Sequence, residues 1–161
     1  MADQELTLAR LLENLRLDKT SLVVLSACES GTAYTIGKSG EEYLGLPAGF
    51  IFAGARSVVG TLWSVLDPPT ALLMVKLYQN LLAGQGISDS LRAAQIWLKD
   101  LDKETAVSIL KQVVDAVAET KRHKPLLAGV DKWMSRLGPK PFARPYFWAA
   151  FQTLGSSEPV F

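Results

Sequence analysis

The sequence predicts an α/β layered domain around a mainly parallel sheet, and three observations carry that expectation. Ser21–Ser26 and Arg56–Trp63 are short apolar runs rich in β-branched residues and without polar alternation, the pattern of strands covered on both faces. Segments with helical spacing follow them, and strands alternating with helices pair in parallel through right-handed crossovers. The chain has 161 residues, 48% of them hydrophobic and 20% charged, enough for one ordered core and too few for two domains.

In chain order, Leu8, Leu11, Leu12 and Leu15 recur at helical spacing with Thr7 placed to cap, which predicts a short amphipathic helix over 7–16. The first strand, Ser21–Ser26, ends at Ala27-Cys28-Glu29-Ser30-Gly31, where small residues mark a sharp turn. Thr32–Glu42 is polar, contains Gly37 and Gly40, and reads as a loop. A short helix is expected over Pro47–Ala53, with proline tolerated in its first turn. The second buried strand, Arg56–Trp63, runs into a loop at Ser64–Asp67. Pro68 and Pro69 open a long helix whose Met74, Leu77, Tyr78 and Leu81 share a face, with Gly84 just past its end. Ser88 is placed to cap the next helix, which buries Leu91, Ala94, Leu98 and Leu101. A more polar helix over 104–122 ends in Lys121-Arg122-His123-Lys124, and a helical turn is expected near Asp131–Leu137. Tyr146–Leu154 reads as a third strand. Sheets of this class usually have about five or six strands, so this one is expected to lack its first half, leaving Leu22–Leu25 as an apolar edge with unpaired backbone groups that invites association.

Composition narrows the function. With 17 basic and 16 acidic residues the net charge is +1, so no global field recruits nucleic acid or an anionic membrane. No apolar run reaches the roughly 18 residues of a membrane span, and Met1–Arg10 lacks the features of a secretion signal, so a cytoplasmic setting is expected. Gly31, Gly37 and Gly40 do not form a phosphate loop, and Lys121–Lys124 reads as a solvated helix end. Cys28 is the only cysteine and His123 the only histidine, which excludes an intrachain disulfide and leaves no zinc-type ligand cluster; no metal or cofactor is expected.

Chemistry in parallel sheets concentrates where strands end at their carboxyl edge, and Cys28 sits at such an end. Backbone N–H groups in a tight turn there stabilise an oxyanion and lower a thiol pKa, although a lone cysteine after a hydrophobic strand is more often an inert core residue. Leu25-Ser26-Ala27-Cys28-Glu29-Ser30-Gly31 is a looser relative of the caspase Q-A-C-x-G signature. It more closely resembles the hydrophobic-S-A-C-E-[ST]-G block of CHAT domains, a bacterial caspase-like peptidase family often attached to tetratricopeptide repeats. Gly45–Ala55, Ser57–Asp67 and Tyr146–Phe151 resemble, in the family's order, its helix after the cysteine, its strand with an L-W-x-V-x-D loop and its closing Y-x-W-A-A-F strand. The resemblance covers about residues 5–155, with a variable insertion near 102–142.

The resemblance implies that residues 1–161 are the C-terminal part of one CHAT domain, a three-layer α/β/α caspase-like sandwich. It implies a cysteine endopeptidase with Cys28 as the thiolate nucleophile, Ala27, Glu29 and Gly31 supporting the oxyanion turn, and Trp63, Ser64 and Asp67 as candidates for the pocket of the residue before the cleaved bond. Trp63 also fits ordinary core packing, and Asp67 also fits a cap on the helix that opens at Pro68. In the family the general-base histidine lies on the strand before the cysteine strand, and Met1–Leu25 contains none. His123 falls far downstream in a basic helix end, where cations suit the last carbonyls. The expected partners are therefore a protein or peptide substrate, the missing N-terminal half of the domain and upstream repeats. The alternatives are a non-catalytic caspase-like binding module and, more weakly, a thiol redox sensor without a resolving cysteine.

Overall fold

The computed structural model describes residues 12–25, 33–35, 43–117, 134–135 and 138–160. Its elements run β1 (Val23–Val24), β2 (Ala33–Thr35), β3 (Tyr43–Gly45), α1 (Leu46–Phe52), β4 (Ser57–Thr61), α2 (Asp67–Leu82), α3 (Ile87–Asp100), α4 (Lys103–Val117), α5 (Pro145–Trp148) and β5 (Phe151–Gly155). All five residues of β4 are buried, as expected of a strand covered on both faces. The main sheet has the order β1-β4-β5. β1 and β4 are parallel, with Val23 opposite Val58 and Val24 opposite Val59. β4 and β5 are antiparallel, from Ser57 opposite Gly155 to Thr61 opposite Phe151.

Alternation along the strands divides the core in two. Val58 faces the cluster of Phe50, Ala53 and Ala55, against which Leu15, Leu17, Val23 and Leu25 pack. Val59 faces the larger cluster, which holds Leu72, Leu73, Leu77 and Leu81 of α2, Leu91, Ala94 and Leu98 of α3, and Ala106 and Leu110 of α4, with Leu22 and Val24 against it. Helices thus cover both faces of the sheet, in a mixed α/β architecture.

Several elements differ from the sequence expectation. The third strand begins at Phe151, not Tyr146, because Pro145 opens a one-turn helix whose Phe147 and Trp148 pack on the larger cluster. β5 is antiparallel because the chain reaches the sheet beside the end of β4, where the Leu62 N–H donates to the Ala150 carbonyl (2.8 Å), and can only run back along it. Within the expected loop at Thr32–Glu42, Ala33–Thr35 is strand: β2 pairs antiparallel with β3, which lies just after the loop, with Tyr34 opposite Leu44. The predicted helix over 7–16 is described from residue 12, with 12–14 helical, and that over 104–122 through Val117. In the Asp131–Leu137 turn, residues 134–135 are helical.

Ser88 does not cap α3. The N-cap is Gly86, and the Ser88 hydroxyl instead meets those of Ser157 (2.8 Å) and Thr153 (3.2 Å). Asp102 precedes α4 and accepts the Thr105 N–H (2.8 Å); that bond, with a second from the Thr105 hydroxyl, holds the carboxyl below its ordinary pKa. Gly84 follows the C-cap of α2 with φ +82°, the closing glycine read from the sequence.

Gly155 ends β5 at φ +96°, and a Cβ there would meet the Arg56 carbonyl oxygen. Gly155→Val is therefore expected to destabilise the chain by about 2 kcal/mol or more, since the left-handed backbone alone costs a side chain about 1–2 kcal/mol. The check is the urea unfolding midpoint, which should fall.

β1 ends the described sheet. Alternate residues of a parallel strand direct both backbone groups to the same side. The Leu25 N–H donates to the Val59 carbonyl (2.8 Å), so Leu22 and Val24 point theirs away from β4. Beside that edge lies a cleft of about 430 Å³ lined by Ser21, Leu22, Val24, Tyr78, Leu81 and Val160. Among the described residues, no helix is long and apolar enough to cross a membrane.

Candidate functional site

Because β1 and β4 are parallel and in register, the chain leaves both at the same edge of the sheet. From Leu25 it enters the segment that carries Ala27, Cys28, Glu29 and Gly31; these four residues, and His123, lie outside the described residues. From Thr61 it enters the loop Leu62–Leu66, which brings Trp63, Ser64 and Asp67 to that edge.

Trp63 serves two purposes. Its ring packs half-buried against the larger cluster, and its indole Nε1–H donates to the carbonyl of Tyr146 (3.0 Å). Core packing and a place at the sheet edge are thus both true of this residue. Ser64 is exposed, and its backbone carbonyl accepts the Tyr146 hydroxyl (3.0 Å).

Asp67 is the first residue of α2, not its cap: the N-cap is Leu66, and no side chain caps the helix. The carboxylate is exposed in the first turn, where a negative charge suits the helix dipole, and neither ion pair among the described residues uses it. The Leu66 side chain has no acceptor to cap with, and Pro68 and Pro69 have no N–H that would need one. Leu62 and Leu66, in the loop that leads to Asp67, are also exposed.

Tyr146 is the residue that the sequence reading missed. It was assigned to a strand as part of an aromatic run, and its two bonds to the loop cross 82 and 83 positions of sequence. The Y-x-W-A-A-F pattern was a visible signal of its importance, but nothing local in it points to the loop after β4.

The edge where the Cys28 segment departs thus carries a loop held by Tyr146, exposed Leu62 and Leu66, and an exposed carboxylate at Asp67. No group of three His, Cys, Asp or Glu side chains that would hold a metal occurs among the described residues. No curated protein matches the chain. The family model of the CHAT domain matches residues 1–156, nearly the whole chain. On that match and on the fold, the chain belongs to the CHAT domain family and is a caspase-like domain.

Proposed function

We propose that this chain is the C-terminal, cysteine-bearing part of a CHAT-type cysteine endopeptidase, with Cys28 as its nucleophile. The observation that carries the reading is the shared edge: parallel β1 and β4 release the Cys28 segment and the Trp63 loop side by side. That is where catalytic groups and pocket meet in a sheet of this kind.

In the proposed reaction the Cys28 thiolate attacks the peptide carbonyl, a C–S bond forms, and backbone N–H groups around Ala27, Glu29 and Gly31 stabilise the oxyanion. Collapse of the tetrahedral intermediate expels the amine, which takes a proton from the protonated histidine. Water then adds to the thioester with the same histidine as base, releasing the acid and the thiol. The histidine comes from polypeptide outside these 161 residues, since His123 is the only one present and lies far downstream of Cys28. Upstream repeats belong to the same proposal as partners of the full-length protein, and a bacterial cytoplasm is its proposed setting.

Asp67 supplies the proposed preference for a basic residue before the cleaved bond, its carboxylate meeting the cation while Leu62 and Leu66 take the aliphatic stem. Asp67→Asn should lower kcat/KM about tenfold for peptides with Arg or Lys at that place and leave neutral peptides within about twofold. Equal losses on both would remove Asp67 from the pocket.

The reading is tested by complementation: the chain combined with an upstream segment that carries a histidine strand should cleave peptides that neither part cleaves alone. One observation favours a second reading, a non-catalytic caspase-like binding module: none of these 161 residues ahead of Cys28 is a histidine. Failure of complementation with a properly folded pair would select it.

A further inference from the structure

Resting on the peptidase reading, we infer that Tyr146 is a positioning residue that sets the pocket loop from outside it. The side chains of the loop Leu62–Leu66 alternate: Trp63 and Val65 pack half-buried on the larger cluster, and the backbone between them is held from outside. Leu62, Ser64 and Leu66 are exposed, and the backbone is tied at its ends, by the Leu62 N–H on the Ala150 carbonyl (2.8 Å) and the Thr70 N–H on the Leu66 carbonyl (3.2 Å). Between those ties Tyr146 makes a double clasp, its carbonyl accepting from the Trp63 indole and its hydroxyl donating to the Ser64 carbonyl, each at 3.0 Å.

The clasp is anchored in the core. The Tyr146 ring stands edge-on to Phe147 at 5.4 Å between centroids, and Phe147 stands edge-on to Phe142 at 5.7 Å; Phe142 is fully buried. Rigidity thus passes from the core through two aromatic contacts to one backbone carbonyl of the loop. A side chain that acts through the loop in this way sets where the loop meets a peptide and leaves the reactivity of the thiol itself to other groups.

Cys28 is the chain's only thiol, so alkylation reads the site without the histidine. Two reagents separate the roles: a peptidyl chloromethyl ketone ending in arginine, whose rate depends on docking in the pocket, and iodoacetamide, which reports the thiolate alone. In each, the sulfur displaces the halide and a C–S bond forms. Tyr146→Phe keeps the ring contacts and the carbonyl that Trp63 uses, and deletes only the bond to Ser64. Its ratio of peptidyl to iodoacetamide rate should fall about three- to tenfold, the range of one lost hydrogen bond, while the melting temperature stays close to that of the parent. A ratio equal to the parent's would overturn the role of Tyr146 and leave the peptidase reading standing. A parent chain that shows no preference for the peptidyl reagent overturns both.

Discussion

Cys28→Ala is expected to abolish peptide hydrolysis in any preparation of the domain that cleaves, lowering kcat/KM by at least about a thousandfold, the scale on which removing a covalent nucleophile acts. The expectation follows from position: the Cys28 segment departs from β1 at the edge that β4 shares, and the sequence offers no second thiol to take over. Alanine is close to cysteine in size, so unfolding is not the expected cause of the loss. Serine at the same place should be almost as inactive, because its hydroxyl is far less acidic than a thiol and the proposed nucleophile is the thiolate. Initial rates on a peptide with arginine before the scissile bond, measured with the complemented domain, provide the check.

The second large effect is on stability. Leu77→Ala is expected to cost about 3 kcal/mol and to lower Tm by about 6–12 °C for a chain of this size. Leu77 is fully buried in the larger cluster, where α2 and α3 pack over Val59 and Phe151, and truncation there leaves a cavity that the close-packed neighbours cannot fill. Leu82, five residues on, is 71% exposed, and Leu82→Ala should stay within about 0.5 kcal/mol. Thermal unfolding followed by circular dichroism compares the pair directly; equal losses would mean that the face of α2 has been misread.

What could be read in advance is tied to how locally it was determined. β4, α2 and α3 were legible because a β-branched run and a 3.6-residue period are properties of a few neighbouring residues, and Leu91, Ala94, Leu98 and Leu101 are buried as that period requires. The end of α2 was legible at Gly84, which takes the positive φ that closes a helix. The failures are the places where partners distant in sequence decide. Ser88 has the chemistry of a cap, but Ser157 and Thr153 claim its hydroxyl from the far end of the chain. Tyr146, Phe147 and Trp148 have the propensity of a strand, yet Pro145 and packing on the larger cluster hold them in a helical turn. The pairing of β2 with β3 was hidden because each is three residues long, β2 within the glycine-bearing polar stretch and β3 just after it.

The same division runs through the candidate site. The motif around Cys28 and the L-W-x-V-x-D loop were visible as patterns. The place of Asp67 was not, since telling an N-cap from a first-turn residue needed the position of Leu66 and the helix start. The clasp by Tyr146 was hidden altogether, because it joins two segments that only the antiparallel return of β5 brings together.

The central claim is that Cys28 is acylated by its substrate, and the intact mass of the complemented domain during turnover tests it most directly. Quenched in acid while it hydrolyses a peptide ester, the chain should carry one added acyl fragment on Cys28, released by hydroxylamine and absent from Cys28→Ala. Turnover with no acyl adduct, continuing unchanged in Cys28→Ala, would contradict the account.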